Sequence, residues 1–270
     1  RIDVRLTDRD AVLVRADADV AVESTAGATY DASLTLPVGG DRTVEIERGY
    51  ARADLRIEGA SATILNTHLA SGLADVRTAQ ARELAATVES LSGPLVVLGD
   101  LNDEPSRTGG TPTPDGSDSA DAGAYGLLTE RLTDAPRAAG ATGGTCCRPS
   151  ALRPPDEDGL SQRIDHVLVR GLRATSAERF AVDPIEGASD GSGLFPSDHA
   201  GVRVGLTSAP ATPSTSTTDT PDPRTTDDAT TDAEPAASTT ATGTPGFGPL
   251  SALVAVVSLG VASIRRLGGD

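Results

Sequence analysis

A chain of 270 residues that sets 39 acidic residues against 23 basic ones, every basic residue an arginine, carries a formal charge of −16. Such a surface repels polyanions at low salt and excludes adsorption to nucleic acid by bulk charge, although in molar salt the Debye length of about 3 Å screens most of that repulsion. The change in composition after residue 206 leaves the first stretch, roughly 200 residues, to form one core.

In chain order, residues 11–15 are a short apolar run expected to be a strand. Residues 50–57 and 62–65 alternate or cluster like paired strands, with Gly59 in the turn between them. The segment 74–91 predicts a helix that buries Val76, Ala79, Leu84, Val88 and Leu91 and stops at Gly93-Pro94. Residues 95–98 follow as a short buried strand. Strand, helix, strand is the pattern of an α/β fold, in which polar residues at strand ends carry the chemistry.

The Pro, Gly, Thr and Asp content of 103–123 predicts a long loop, 125–132 a short helix, 163–170 a strand interrupted by Asp165 and His166, 180–182 another strand, and 199–206 the last strand of the domain. Cys146 and Cys147 are adjacent. A ring closed between neighbours strains the peptide between them, and two ligands are too few for zinc, so inert buried thiols are expected.

From 207 to 243 the chain is Thr, Ser, Pro, Ala and Asp with almost no large apolar residue, which predicts a disordered stalk. Residues 247–264 are then 18 residues without a charge, about 27 Å as a helix, followed by Arg265 and Arg266. This predicts membrane targeting with the C-terminal end held inside. The chain starts at Arg1 and has no methionine, so its natural beginning is expected to lie upstream.

Four strings hold all three histidines and a set of acidic residues: NTHL at 66–69, GDLN at 99–102, RIDHVLV at 163–169 and SDH at 197–199. Cleaving a phosphate ester requires neutralising phosphoryl charge, activating water and stabilising the leaving oxygen. Carboxylates that hold a hard Mg²⁺ or Mn²⁺, with histidines poised by neighbouring carboxylates, supply those groups. Taken singly each string has a plainer explanation: a strand-end turn for Asp100 and Asn102, a core histidine for His68, an ion pair with Arg163 for Asp165, and a turn for Asp198 and His199.

Taken together and in this order, the strings resemble the endonuclease/exonuclease/phosphatase superfamily, which includes DNase I-like nucleases, sphingomyelinases and inositol polyphosphate phosphatases. The likeness covers 1–206, and TCC at 145–147 resembles a segment of some bacterial and archaeal members. The resemblance implies an α/β (α+β) four-layer sandwich of two mixed β-sheets flanked by helices. It also implies that His199 is the general base or phosphate-activating histidine and that Asp165 orients it. Asp198 and Asp100 would bind metal, Asp100 and Asn102 would position water and phosphate, and His68 would stabilise phosphoryl oxygens or assist the leaving group. His166 is expected to be structural.

The implied activity is that of an Mg²⁺-dependent phosphoric ester hydrolase (Mn²⁺ or Ca²⁺ as alternatives), an extracellular nuclease or phosphodiesterase with DNA or RNA as substrate, and a monomer is expected. A phospholipid phosphodiesterase or phosphomonoesterase on the same fold, and a non-catalytic surface module, are the alternatives. The family's opening Asn strand and metal-binding Glu are not found upstream of NTHL, since Glu23, Glu45, Glu47 and Glu58 lack that context. Little activity is therefore expected of these residues alone. The tail, with Pro245-Gly246-Phe247 before the apolar run, resembles the PGF-CTERM sorting signal read by an archaeosortase. It implies a secreted, surface-anchored protein whose apolar segment is removed, and the lysine-free acidic composition suggests a halophile, a GC-rich genome being the alternative source of the Arg-for-Lys bias.

Overall fold

The computed structural model describes residues 9–39, 42–105, 123–153, 159–185, 193–209 and 252–256. In chain order its elements are β1 (Val20–Thr29), β2 (Leu34–Gly39), β3 (Arg42–Ile46), β4 (Gly49–Ile57), β5 (Ala60–His68), α1 (Ala74–Ser90), β6 (Leu95–Asp100), α2 (Ala124–Thr129), β7 (Thr133–Asp134), α3 (Ala135–Ala138), β8 (Asp165–Arg170), β9 (Leu172–Phe180), β10 (Gly201–Ser208) and β11 (Ala252–Val256). A six-stranded sheet runs β1-β4-β5-β6-β8-β7, a three-stranded sheet β11-β10-β9, and β2 and β3 form a separate hairpin. The large sheet is mixed because β5 and β6 are parallel while its other pairs are antiparallel.

The central strands are apolar on both faces because both are covered. Leu65, Leu95, Val97 and Leu168 face Leu84, Val88 and Leu128 in the core shared with α1 and α2. Their neighbours Ile64, Val96, Leu98, Val167 and Val169 face Val202, Val204 and Leu206 of the second sheet. The result is two sheets packed face to face with helices outside, as the resemblance implies. Helix α3 lies against β9 of the second sheet and β8 and β7 of the first, with Ala135 buried in the core between the sheets.

Several local expectations shift. Residues 11–15 form no strand, although Val12 and Val14 pack on the inter-sheet core. The strand expected at 180–182 lies earlier, as β9, because it pairs with β10 from Gly201↔Phe180 to Ser208↔Leu172. Helix α1 buries Leu84 and Val88 as expected, but with Gln80, Ala81 and Ala85, while Val76 and Ala79 are only half-buried. Tertiary contacts choose that face. Gln80 Oε1 accepts from Ala70 N at 2.8 Å and its Nε2 donates to Ala32 O at 2.8 Å, so a polar side chain is satisfied inside the core.

In the tail, Ala252–Val256 is an extended strand antiparallel to β10, with Val254 opposite Val204, where the apolar run predicts a helix over 247–264. A lone short helix is marginal in water, whereas an extended run finds backbone partners along the open edge of β10. The rest of that segment, the stalk from 210 onward and residues 106–122 of the long loop lie outside the described residues. Among the described residues, no helix is long and apolar enough to cross a membrane.

Candidate active site

Strand direction assembles the site. Because β5 and β6 run parallel, NTHL and GDLN finish at the same end of the sheet, with His68 opposite Asp100. Because β8 runs antiparallel to β6, its first residue, Asp165, lies opposite Asp100 at that same end. His68, Asp100 and Asp165 thus stand in a row on three adjacent strands. The loop that precedes β10 brings His199 over them from the second sheet. Gly99 permits the close approach: its φ is 141°, and a Cβ there would stand 1.8 Å from Thr67 O.

His199 Nδ1 lies 2.8 Å from Asp165 Oδ2. A carboxylate accepts, so the proton is on Nδ1 and Nε2 is left with a lone pair. Arg48 Nη1 donates to His68 Nδ1 at 3.1 Å. Arginine only donates, so His68 carries its proton on Nε2, 3.4 Å from Asp100 Oδ2. Asp100 Oδ1 accepts from Asn102 N at 2.7 Å, and Asn102 Nδ2 donates to Leu69 O at 2.9 Å, tying GDLN to the end of NTHL. Thr145 Oγ1 accepts from the backbone N–H groups of Ile164 and Asp165, at 3.2 and 3.1 Å, and so holds the start of β8.

Burial sets the charges. Asp100 is 3% exposed; burial, and then the negative neighbour Asp165, push its carboxyl up to about 7. Burial, reinforced by the Arg48 charge, pulls His68 down to about 4, so it is a neutral donor at neutral pH. Burial acts to lower His199 too, but the hydrogen bond to Asp165 and the charges of Asp165, Asp100 and Asp198 outweigh it and raise its pKa. Ligand atoms of Asp100, Asp165 and His199 all lie within 4.8 Å of one another. Two buried carboxylates and an imidazole, short of compensating positive charge, are a donor set that fits a hard divalent cation.

Asp198, expected from the resemblance to be a metal ligand, is exposed and stands outside that cluster; its Oδ1 accepts from Ser197 Oγ at 3.3 Å. The carboxylate paired with Asp100 by strand register is Asp165. His166 is fully buried, where Nδ1 accepts from Arg163 Nη1 at 3.3 Å and Nε2 donates to Asp103 O at 2.9 Å. Arg163 pairs with Asp134 rather than with Asp165, and the pair, together with His166, holds the Asp134 carboxyl well below the usual range despite its burial.

Two arginines escaped the sequence reading. Arg48 precedes β4 in an ordinary polar string, and only the fold brings it to His68. Arg148 is 3% exposed, lies over the Phe195 ring, and donates to the carbonyls of Ser197, His199, Ala181 and Val182. It therefore fixes the loop that carries His199. Neither has a periodic or motif signal that would single it out.

Cys146 and Cys147 are joined as a disulfide, which corrects the expectation of two inert buried thiols; Cys146 is buried and Cys147 exposed. The backbone explains their common position. Cys146 pairs with Gln162 in both directions at 2.9 and 2.8 Å, Ala200 N donates to Thr145 O at 2.7 Å, and Arg148 N donates to Asp198 O at 2.9 Å. The turn is pinned on both sides.

The profile of the Endonuclease/Exonuclease/phosphatase family matches residues 7–199. Solved structures share the fold, among them these three. A mannosyl-6-phosphatase of Bacteroides thetaiotaomicron is 17% identical at a TM-score of 0.53, over 71% of this chain and 68% of its own. An endonuclease/exonuclease/phosphatase family protein of the same organism is 16% identical at 0.51, over 69% and 63%. A conserved protein of unknown function from Enterococcus faecalis is 18% identical at 0.50, over 71% and 68%. The chain thus spans about two thirds of the length of these structures. No curated protein matches it.

Proposed function

We propose, because the chain belongs to the Endonuclease/Exonuclease/phosphatase family, that it is an Mg²⁺-assisted phosphoester hydrolase of the nuclease or phosphodiesterase type, with His199 as its general base. The observation that carries this reading is the 2.8 Å bond from His199 Nδ1 to Asp165, beside the buried carboxylate of Asp100. Asp165 fixes the tautomer, so Nε2 faces its task as a base, and the raised basicity of the ring suits proton abstraction from water. Neutral His68 offers its Nε2–H as a donor to a phosphoryl oxygen, and Arg48 keeps it in that tautomer. Asp100 and Asp165 would hold the cation, Mg²⁺ or alternatively Mn²⁺ or Ca²⁺; when bound, it neutralises charge building on the phosphoryl group.

The family's metal-binding Glu and first-strand Asn have no counterpart in context upstream of NTHL in this sequence. Glu23 pairs with Arg56 and Glu45 accepts from Ser33, so neither serves the site. A phosphomonoesterase is the second reading, favoured by the shared fold with a mannosyl-6-phosphatase and by a chain with only three tyrosines and three phenylalanines with which to stack bases. The test is hydrolysis of bis(p-nitrophenyl) phosphate against p-nitrophenyl phosphate by the full-length gene product, with Mg²⁺ and with a chelator. The diester is expected to turn over at least about tenfold faster, a difference of about 1.4 kcal/mol in barrier. The reverse order selects the monoesterase, and the absence of chelator-sensitive turnover on either substrate leaves only a non-catalytic surface module.

The same proposal places the protein outside the cell, anchored through its C-terminus. Its support is the uncharged run 247–264 followed by Arg265 and Arg266, behind a Pro245-Gly246-Phe247 triplet. Processing by an archaeosortase would remove that run and β11 with it. Intact mass of the mature protein is expected to lack the residues after about Pro245; an unprocessed C-terminus would point to a membrane helix instead.

A further inference from the structure

We propose that, once the Cys146–Cys147 disulfide is reduced, the two sulfurs and the imidazole of His199 form a binding site for a thiophilic divalent cation such as Zn²⁺. One ligand atom from each of Cys146, Cys147 and His199 lies within 4.8 Å of the others. Sulfurs and an imidazole nitrogen bound to one tetrahedral Zn²⁺ at about 2.3 and 2.0 Å lie within that range of each other. Sequence adjacency supplies only two ligands; the third comes from the loop before β10.

The site is held in place from both sides. Ala200 N donates to Thr145 O at 2.7 Å, Arg148 N donates to Asp198 O at 2.9 Å, and Cys146 pairs with Gln162. The cysteine turn and the histidine loop therefore move as one piece. Cys147 Sγ also lies 3.6 Å from Gln162 Oε1, which places an amide oxygen beside the sulfurs as a fourth donor. Asp165, bonded to Nδ1 of His199, provides the carboxylate that commonly backs a metal-ligating histidine.

The chemistry balances through a named reductant. A phosphine or dithiol reductant breaks the S–S bond, and two electrons and two protons pass to the sulfurs, giving two thiols. The incoming cation displaces both thiol protons and binds the thiolates. Oxidised, the pair offers no thiolate and the site does not exist. Whichever ring nitrogen the ion takes, His199 is lost to hydrolysis: Nδ1 would be taken from Asp165, and Nε2 from water and substrate. That competition rests on the hydrolase reading above, whereas the binding itself does not.

The test therefore reads binding. The full chain is reduced with a phosphine, freed of reductant under anaerobic conditions, and titrated with Cd²⁺ while thiolate-to-Cd²⁺ charge-transfer absorption is followed. One equivalent is expected to bind the reduced chain, with affinity lower by at least about tenfold in the oxidised chain, in Cys147→Ser and in His199→Ala, the loss typical of removing a metal-site group. Thermal melting confirms that each variant is folded, and alkylation of the exposed Cys147 in the reduced wild type repeats the arm without a substitution. Equal binding by reduced and oxidised chains overturns the proposal, and wild-type affinity in His199→Ala overturns the three-ligand site. Failure of Mg²⁺-dependent hydrolysis leaves both results intact.

Discussion

Replacing His199 by Ala in the full-length gene product is expected to lower Mg²⁺-supported hydrolysis by about 10²–10⁴-fold, the range that a positioned general base contributes. Melting should hardly move, because His199 sits part-exposed on a loop whose carbonyls Arg148 still holds. Asp165→Asn should cost nearly as much for a different reason. An Asn amide can donate to Nδ1, which forces the ring proton onto Nε2 and removes the lone pair the reaction uses. The pH profile separates the two effects. His199 must be neutral to accept a proton, so the rate rises with pH through its pKa, which Asp165, Asp100 and Asp198 hold above the ordinary histidine value. Asp165→Asn removes the strongest of those charges, so the acid limb of its residual activity should move to lower pH. A limb that stays in place, or an unimpaired His199→Ala variant, would remove His199 from the mechanism.

Asp100→Asn is expected to abolish hydrolysis while stabilising the metal-free protein. In the folded chain the Asp100 carboxyl titrates near 7 against 3.8 for an unperturbed group, because it is buried and faces Asp165. The folded state thus holds a proton that the unfolded state releases. Stability contributed by this group is present below 3.8, falls as pH rises toward 7, and is missing above it. At pH 8 in chelator the Asn variant should melt at least about 2–4 °C higher, the shift for each kcal/mol in a domain of this size. Saturating Mg²⁺ should reverse the order. At 100 times its Kd a bound ion stabilises the wild type by about 2.7 kcal/mol, and the variant should gain little of it. Calorimetry at pH 5 and pH 8, with and without Mg²⁺, reads all of this; a variant less stable than wild type in chelator at pH 8 would mean that the Asp100 charge is already compensated within the fold.

The central strands were legible because their signal is local. The run LVVL ending in GDLN could only be a buried strand with polar residues at its end, and Leu95–Asp100 is that strand. The helix after NTHL was equally plain in extent, but its inward face was not, since Gln80 is buried through bonds to Ala70 and Ala32 that no helical period announces. The plainer alternative for Asp165, an ion pair with its neighbour Arg163, is not what forms, because in the fold Arg163 meets Asp134. That exchange leaves Asp165 free to hold His199. Asp198 is a metal ligand only by the resemblance, and in the fold it is exposed and stands apart from the buried cluster.

By itself the sequence determined which residue types are available for phosphoester chemistry and that they stand at strand ends. Those features follow from hydrophobic period, turn chemistry and composition, all readable over a few residues. Only the tertiary structure decided which groups meet: His68 opposite Asp100 and Asp100 opposite Asp165 by strand direction and register, His199 upon Asp165 by the packing of two sheets, Arg48 upon His68, and the joined cysteines beside His199. These contacts link residues far apart in the chain, and register and packing are properties of the whole fold rather than of any segment.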